Sequence, residues 1–172
     1  MKKVLHIWQA AYPWEVRIGK INRSLMAAGS EVMVLARNKG DELEQEVVNG
    51  ELILRVGSAN RILSVPVPGS PFWGSAISTA IRDFKADLVI VRDIPLAGLA
   101  VKAGRKCGVP VVLDMAEHYP EAMRSWKKYS ENFILRKIVH DWKIPDRIEA
   151  SVMKGIDGVL VVCEEQRERL IA

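Results

Sequence analysis

Short apolar runs alternate with amphipathic segments along almost the whole chain. The apolar runs predict strands at residues 4–8, 31–36, 52–56, 87–92, 109–114 and 158–163. Apolar positions at helical spacing predict helices at 16–28, 75–84, 96–106, 132–142 and 146–154, and a further helix starts at 164. Strands that alternate with helices require crossover connections. The pattern therefore predicts an α/β fold, a Rossmann-like, doubly wound parallel sheet with helices on both faces.

Several details refine this prediction. Residues 89–91, 111–113 and 159–162 are continuous β-branched or leucine runs, which are typical of central parallel strands buried on both faces. Gly29 and Gly108 stand where a left-handed residue ends a helix, and Pro145 predicts a helix break near residue 144. The helix at 132–142 is predicted to turn one apolar face to the core, made of Ile134, Leu135, Ile138, Val139 and Trp142.

Composition fits one folded domain. The chain has 172 residues, of which 49% are hydrophobic, and a mean hydropathy of +0.04, so it can fill a core. No apolar run approaches the roughly 18 residues that a membrane-spanning helix needs. Cys107 and Cys163 lack metal-ligand spacing, which favours reduced thiols and a cytoplasmic protein.

Charge is unevenly distributed along the chain. The formal net charge is +4, with a basic excess in residues 1–40, an acidic run at 41–51 and a second basic cluster at 124–143. Nucleic acid, an anionic membrane face or a phosphorylated ligand would each suit such clusters, and so would an ordinary solvated surface.

The turn after the first strand contains no glycine. Dinucleotide-binding turns and P-loops need glycines so that the backbone can approach phosphates, so both classes are disfavoured. In their place, Arg17 and Lys20 lie on the first two turns of the following helix, close to its positive end. A phosphate could bind there through side chains, although surface helix charge explains the two residues equally well.

A second polar cluster follows the strand at 109–114. Asp114, Glu117, His118 and Tyr119 crowd the carboxyl end of a central strand, where parallel sheets bind their ligands. Capping by Asp114 and simple packing of His118 would be the structural alternative. The location favours a functional cluster.

Three segments, residues 13–32, 87–121 and 156–170, carry a family resemblance when taken in order. They resemble the opening helix and second strand, the fourth and fifth strands, and the closing strand and helix of a family-four glycosyltransferase N-terminal domain. That domain is the acceptor-side half of a GT-B fold. The resemblance implies a single domain over residues 1–172. The C-terminal donor-binding domain of the family, with its pair of glutamates, is expected to be absent from this chain.

The resemblance also implies a function. It identifies the chain as the acceptor-binding half of a retaining glycosyltransferase, which moves a sugar from a nucleotide sugar to a glycan or lipid-linked acceptor in surface polysaccharide synthesis. The nucleotide sugar would bind mainly to the missing domain, so the chain alone is expected to be inactive. No cofactor, no metal and no nucleic acid partner is expected.

The predicted site residues lie in the segments that follow the strands. The polar cluster after the strand at 109–114 supplies the predicted catalytic residues, Glu117 and His118. The acceptor or its phosphate is expected to bind at Tyr12, Trp14, Arg17, Lys20, Arg92, Asp93 and Tyr119. Two positions depart from the family. Its histidine two residues after the fifth-strand aspartate is Ala116 here, with His118 two positions further on, and its serine after the closing strand is Cys163.

An aromatic and basic stretch precedes the helix at 132–142. Tryptophan and tyrosine mixed with basic residues suit a membrane interface, and lipid-linked acceptors are common in the resembled family. The predicted membrane contacts are Arg124, Trp126, Lys127, Lys128 and Tyr129, which would make the cytoplasmic protein peripheral on the inner face of the membrane.

Two other functions remain open at this point. One is half of a sugar-nucleotide epimerase, which shares the GT-B fold. The other is a stand-alone flavodoxin-like binding or regulatory domain, although no phosphorylatable aspartate with a nearby lysine is evident.

Overall fold

A computed structural model describes residues 1–40, 42–57 and 62–171, without the side chains of Lys128 and Ser130. The strands are β1 (Lys3–Ile7), β2 (Glu31–Arg37), β3 (Gln45–Val48), β4 (Glu51–Val56), β5 (Leu88–Arg92), β6 (Val111–Asp114) and β7 (Gly158–Leu160). The helices are α1 (Val16–Ala27), α2 (Pro71–Phe84), α3 (Ile94–Cys107), α4 (Tyr119–Ser125), α5 (Lys127–Glu131), α6 (Phe133–Arg136), α7 (Ile144–Met153) and α8 (Glu164–Ile171), with a π-helical turn at Lys137–Asp141.

The strands form one sheet in the order β3-β4-β2-β1-β5-β6-β7. All neighbours pair in parallel except β3, which is antiparallel to β4. The chain runs outward from β1 through β2 to β4 and then returns to the other side of β1 with β5. This reversal opens a crevice at the carboxyl ends of β1 and β5, the usual ligand position in such sheets.

Helices cover both faces, as the sequence predicts. On one face, Leu5 and Ile7 of β1 pack with Trp73 and Ile77 of α2 and with residues of α3. On the other face, Val4, Val32 and Ile90 pack against the apolar stripe of α1. The prediction of an α/β, doubly wound fold is confirmed.

Most local signals also hold, but the run at 159–162 is not a central strand: β7 lies at the edge of the sheet, and Leu160 and Val162 are 39% and 50% exposed. Gly29 and Gly108 have φ of +85° and +69° and end α1 and α3. Pro145 lies in the first turn of α7, where its missing N–H costs nothing. Helix α2 begins at Pro71, earlier than predicted, because the Ser70 hydroxyl caps it by accepting from the N–H of Trp73. Among the described residues, none of the helices combines the length and apolar character needed to cross a membrane.

The strand β3 was missed by the sequence prediction. It forms a hairpin with β4 through Asn49 and Gly50, both with positive φ (52° and 86°). An Asn-Gly pair is the strongest short hairpin signal, but the flanking acidic run lacks the apolar alternation that marks a buried strand. As an edge strand, β3 leaves Val47 69% exposed.

The helical segment predicted at 132–142 is present as α6 and the π-helical turn that directly follows it, but the prediction that it turns one apolar face to the core is wrong. Residues 127–141 form two short helices and a π-helical turn, because Trp126 and Asn132 adopt extended backbone and each starts a new segment. The wider π turn rotates the residues that follow it off the predicted stripe. Val139 is buried, but Ile134 and Trp142 are 67% and 54% exposed.

Candidate functional site

A charged cluster forms the floor of the crevice at the switch point. It joins the end of β5, the end of β6 and the first turn of α1. Two guanidinium groups, from Arg17 and Arg92, meet the carboxylates of Asp114, Asp93 and Glu15. The loops after three separate strands thus supply one network, as the sheet topology predicts.

Asp114 is the centre of this network. Its side chain is fully buried and accepts from Arg17 Nε at 2.9 and 3.1 Å, from Arg17 Nη2 at 2.6 Å and from Arg92 Nη1 at 2.8 Å. Burial alone would raise the pKa of Asp114, but the hydrogen bonds from Arg17 and Arg92 outweigh burial and hold that pKa below its ordinary value. The carboxylate is therefore a fixed negative charge.

Arg17 is held rigidly and remains accessible. Asp114 binds its Nε and Nη2, and this pairing raises the pKa of Arg17. The side chain is 31% exposed, and Nη1 makes no hydrogen bond to the described part of the chain. One edge of the guanidinium can thus face an anion in the crevice. Lys20, one turn further along α1, and Trp14, which is 81% exposed, are also open to solvent.

Arg92 is placed differently. It is buried, and besides Asp114 it lies 3.4 Å from Asp93 and 3.6 Å from Glu15. With three carboxylates around its guanidinium, Arg92 is suited to a structural role in which it links the elements that form the crevice. Direct contact of Arg92 with an acceptor phosphate stays a prediction.

Asp93 has a strained backbone at the start of α3. Its φ of 58° and ψ of 176° lie in a region that is essentially restricted to glycine. Its carboxylate accepts from the N–H of Ala116 at 3.3 Å, and burial raises its pKa. Glu117 contributes to this raised pKa, which places the Glu117 carboxylate near the same crevice. Such strain is concentrated at functional sites, which supports a functional role for the Asp93 carboxylate.

We expect Asp93→Gly to be more stable than Asp93→Ala by about 1–3 kcal/mol, because both lose the carboxylate and only alanine keeps the strain. In ordinary helix or strand positions alanine is the more stable residue of the two. Urea unfolding of the two variants measures the difference. An alanine variant as stable as the glycine variant would show that the backbone at Asp93 is relaxed.

Tyr12 does not line the crevice with its ring. The side chain is buried, and its hydroxyl donates a hydrogen bond to the Glu51 carboxylate. Burial and this bond raise the pKa of Tyr12 well above its usual range. The predicted acceptor contact of Tyr12 is untested, and its position favours a supporting role.

His6 lies beneath the crevice and was not predicted as a site residue. It is fully buried in β1, and its Nδ1 is 2.9 Å from Asn22 Oδ1. Burial lowers the pKa of His6 to about 4, and the charges of Asp114 and Arg92 act on it as well. The only sequence signal was a histidine interrupting an apolar strand.

The loop after β6 carries the predicted catalytic pair. Glu117 is exposed, and His118 lies at the start of α4 with Nε2 4.0 Å from Oε1 of Glu149. Glu149 is buried and accepts from Arg169 of α8 at 2.7 Å. Tyr119 is half-buried, and burial raises its pKa to about 12. Glu117, His118 and Tyr119 directly follow β6, as the sequence predicts, and the catalytic roles remain predictions.

The predicted membrane contacts divide into two groups. Arg124 pairs with Glu121 at 2.8 Å and Asp146 at 2.5 Å, so its charge is matched by two carboxylates. Trp126 packs between the rings of Tyr119 and Tyr129, both 5.9 Å away, while the exposed Lys127 pairs with Glu131 at 3.4 Å. The side chain of Lys128 lies outside the described residues.

Solved structures match this fold over nearly its whole length. The sucrose-phosphate synthase of Thermosynechococcus elongatus gives a TM-score of 0.67 at 11% identity, covering 99% of this chain and 45% of that one. Phytolacca americana UGT2, complexed with UDP-2-fluoro-glucose and pterostilbene, gives 0.54 at 8% identity, covering 93% and 47%. At these identities the likeness concerns the fold alone. The sheet and its helices are one half of the GT-B architecture of glycosyltransferases.

A family assignment follows from the sequence. The profile of the glycosyl transferase 4-like domain matches residues 15–172, and the chain belongs to this family. No curated protein sequence matches the chain significantly. The chain spans 45% of the length of the sucrose-phosphate synthase. The membership confirms the predicted resemblance and favours it over the epimerase and flavodoxin-like alternatives.

Proposed function

We propose that this chain is the acceptor-binding half of a retaining glycosyltransferase. The intact enzyme would transfer a sugar from a nucleotide sugar to a glycan or lipid-linked acceptor in surface polysaccharide synthesis. Membership of the glycosyl transferase 4-like family supports the transferase chemistry. A further, C-terminal domain would bind most of the nucleotide sugar, and we expect the chain alone to be inactive.

The observation that carries the proposal is the fixed guanidinium of Arg17. Asp114 holds two of its nitrogens, which leaves Nη1 directed away from the network. A preorganised cation of this kind binds and stabilises an anion without reorganising during the reaction. In the proposed function it holds the acceptor phosphate, with Lys20 beside it and the exposed ring of Trp14 at the mouth of the crevice.

Glu117 and His118 take the proposed chemical roles. Both follow β6 in the chain, and the Glu117 side chain is exposed. The Glu117 carboxylate and the His118 imidazole would position the attacking hydroxyl of the acceptor, and one of them would take up its proton. Asp93 and Arg92 would act indirectly, by fixing the backbone of the loop that carries these two residues.

The test is transfer by the intact enzyme, with Arg17→Lys as the variant. Lysine keeps the charge but loses the planar fork that Asp114 holds, so kcat/KM should fall by about tenfold or more, mainly through the KM for the acceptor. A radiolabelled panel of nucleotide sugars with membrane-extracted acceptors provides the assay. The matched control is Arg82→Lys, on the exposed side of α2.

The two possible failures are distinct. If no nucleotide sugar supports transfer by the intact enzyme, the proposed function is wrong. If transfer occurs and Arg17→Lys behaves like Arg82→Lys, the function stands but the role of Arg17 does not.

Peripheral membrane attachment is part of the proposal. Phe133 and Ile134, 63% and 67% exposed, open α6, the helix that follows the predicted contacts Trp126 and Lys127 along the chain. Exposed apolar side chains beside lysines are what an interfacial segment requires. Arg124 contributes less than the sequence suggests, because two carboxylates already match its charge.

We expect the chain to bind anionic vesicles reversibly, and we expect Lys127→Glu/Lys128→Glu to abolish the binding. Each basic residue near an anionic leaflet contributes about 1 kcal/mol, and this attraction weakens in high salt. Co-sedimentation with vesicles of rising anionic lipid content measures it. A charge reversal at Lys39, an exposed lysine on another part of the surface, serves as control. Binding that ignores lipid charge would contradict the prediction.

A further inference from the structure

A second cavity lies beside α1, next to the crevice. Its volume is about 440 Å³, and it is bounded by Tyr12, by Gly19 and Arg23 of α1, and by the β3–β4 turn with Asn49 and Glu51. Glu15 also lines it and pairs with Arg92 in the crevice at 3.6 Å. The cavity therefore adjoins the candidate acceptor site without sharing Arg17 or Asp114.

Glu51 is a buried carboxylate that faces this cavity. Its residue is only 4% exposed, and one carboxylate oxygen accepts from the Tyr12 hydroxyl. Within the described residues its other carboxylate oxygen has no hydrogen-bond partner, and no cation pairs with it. Burying a carboxylate is costly unless donors satisfy it, so this oxygen is poised to accept from a ligand.

Arg23 supplies the complementary group. It is exposed, lines the same cavity and lies close enough for its charge to act on the Tyr12 hydroxyl. Arg23 forms no ion pair with any residue that the structure describes. The cavity therefore presents an acceptor from Glu51 and a donor from Arg23, and its lining also includes Val16 and Gly19.

This combination selects a ligand class. A phosphate would be repelled by Glu51 and Glu15, and Arg23 would compete with a simple cation for the Glu51 carboxylate. A ring with several hydroxyl groups satisfies both, because each hydroxyl can donate to a carboxylate and accept from a guanidinium.

We propose that this cavity binds one sugar ring, with a ring hydroxyl donating to Glu51 and another accepting from Arg23. On the proposed function, on which this assignment rests, the ring is an outer sugar of the acceptor, with the reacting end in the crevice. Tyr12 is then a positioning residue: its hydroxyl fixes the Glu51 carboxylate at the cavity wall. The Asn49-Gly50 turn of the β3–β4 hairpin places Glu51 at the wall of the cavity.

The experiment is an NMR titration of the ¹⁵N-labelled chain. The probes are the methyl glycosides of glucose, galactose, mannose and N-acetylglucosamine, added singly up to millimolar excess. We expect at least one to shift the amides of Gly19, Arg23, Asn49 and Glu51 together. Glu51→Gln keeps the shape and should weaken binding by about tenfold or more. Glu44→Gln, the same change on an exposed residue of the same hairpin region, should leave binding unchanged.

A second variant keeps the test informative if Glu51→Gln does not fold. Arg23→Gln changes only an exposed side chain, and it should weaken binding several-fold even if Glu51→Gln unfolds. The proposal is overturned if no glycoside shifts these amides, or if Arg23→Gln and a folded Glu51→Gln both bind as the wild type does. Neither result depends on donor transfer. If the intact enzyme is inactive but a glycoside binds in the cavity, only the proposed function is refuted. If the intact enzyme is active but no glycoside binds in the cavity, only this inference is refuted.

Discussion

Asp114→Ala is expected to destabilise the chain by about 3–5 kcal/mol, the usual cost of removing one partner from a buried ion pair. Asp114 is fully buried and binds both Arg17 and Arg92. Without it, Arg92 keeps only Asp93 and Glu15, at 3.4 and 3.6 Å, and two positive charges remain side by side. For a chain of this size the loss corresponds to a fall in Tm of about 10 °C.

Two further variants separate charge from shape. Asp114→Asn keeps the size of the side chain and should cost less than alanine, because its amide oxygen still accepts one hydrogen bond. Asp83→Ala removes an exposed carboxylate on α2 and should leave Tm nearly unchanged. Thermal unfolding followed by circular dichroism measures all three. Equal Tm values for Asp114→Ala and Asp83→Ala would mean that the network does not stabilise the fold.

The architecture could be predicted from the sequence because its signals are local. Continuous apolar runs at 89–91 and 111–113 identify buried parallel strands, and each is followed by polar residues at its carboxyl end. Gly29, Gly108 and Pro145 set helix ends through their own backbone preferences. None of these inferences needs knowledge of distant contacts.

The two failures have different physical origins. The edge strand β3 buries little, so its sequence lacks an apolar face, and the Asn49-Gly50 turn was its sole clear signal. In residues 132–142 the side-chain spacing suits one regular helix, and Asn132 caps its start by accepting from the N–H groups of Ile134 and Leu135. The π-helical turn at Lys137–Asp141 changes that spacing, and of the predicted core face only Val139 is buried.

The location of the candidate site could be predicted from the sequence, but the pairing of its charged side chains could not. Polar residues after β1, β5 and β6 had to meet at one edge, because parallel strands end there together. Which arginine pairs with which carboxylate depends on contacts such as Arg17–Asp114, which are 97 residues apart. Arg17 and Arg92 share one predicted role, acceptor or phosphate binding, whereas in the structure Arg17 is accessible and Arg92 is buried. That Asp114 orients both arginines was not predicted.

The second large effect concerns pH and originates at His6. Burial lowers the pKa of His6 from 6.5 to about 4. Above pH 6.5 the imidazole is neutral in both folded and unfolded chains, so it does not change stability. As the pH falls from 6.5 to 4, the unfolded chain takes up a proton that the folded chain resists, and stability is lost. The shift corresponds to about 3 kcal/mol, fully lost near pH 4 and below.

His6→Gln isolates this contribution. Glutamine can keep a hydrogen bond to Asn22 but cannot take up a proton, so the variant starts with lower stability at pH 7 from imperfect packing. The free energy of unfolding in urea, measured from pH 7 to pH 4, should fall by about 3 kcal/mol more in the wild type than in His6→Gln. Carboxylates titrate in both proteins, so their contributions to the free energy of unfolding cancel in the difference between wild type and variant. Parallel curves over this range would show that His6 is protonated in the folded chain, with the Asp114 carboxylate compensating its charge.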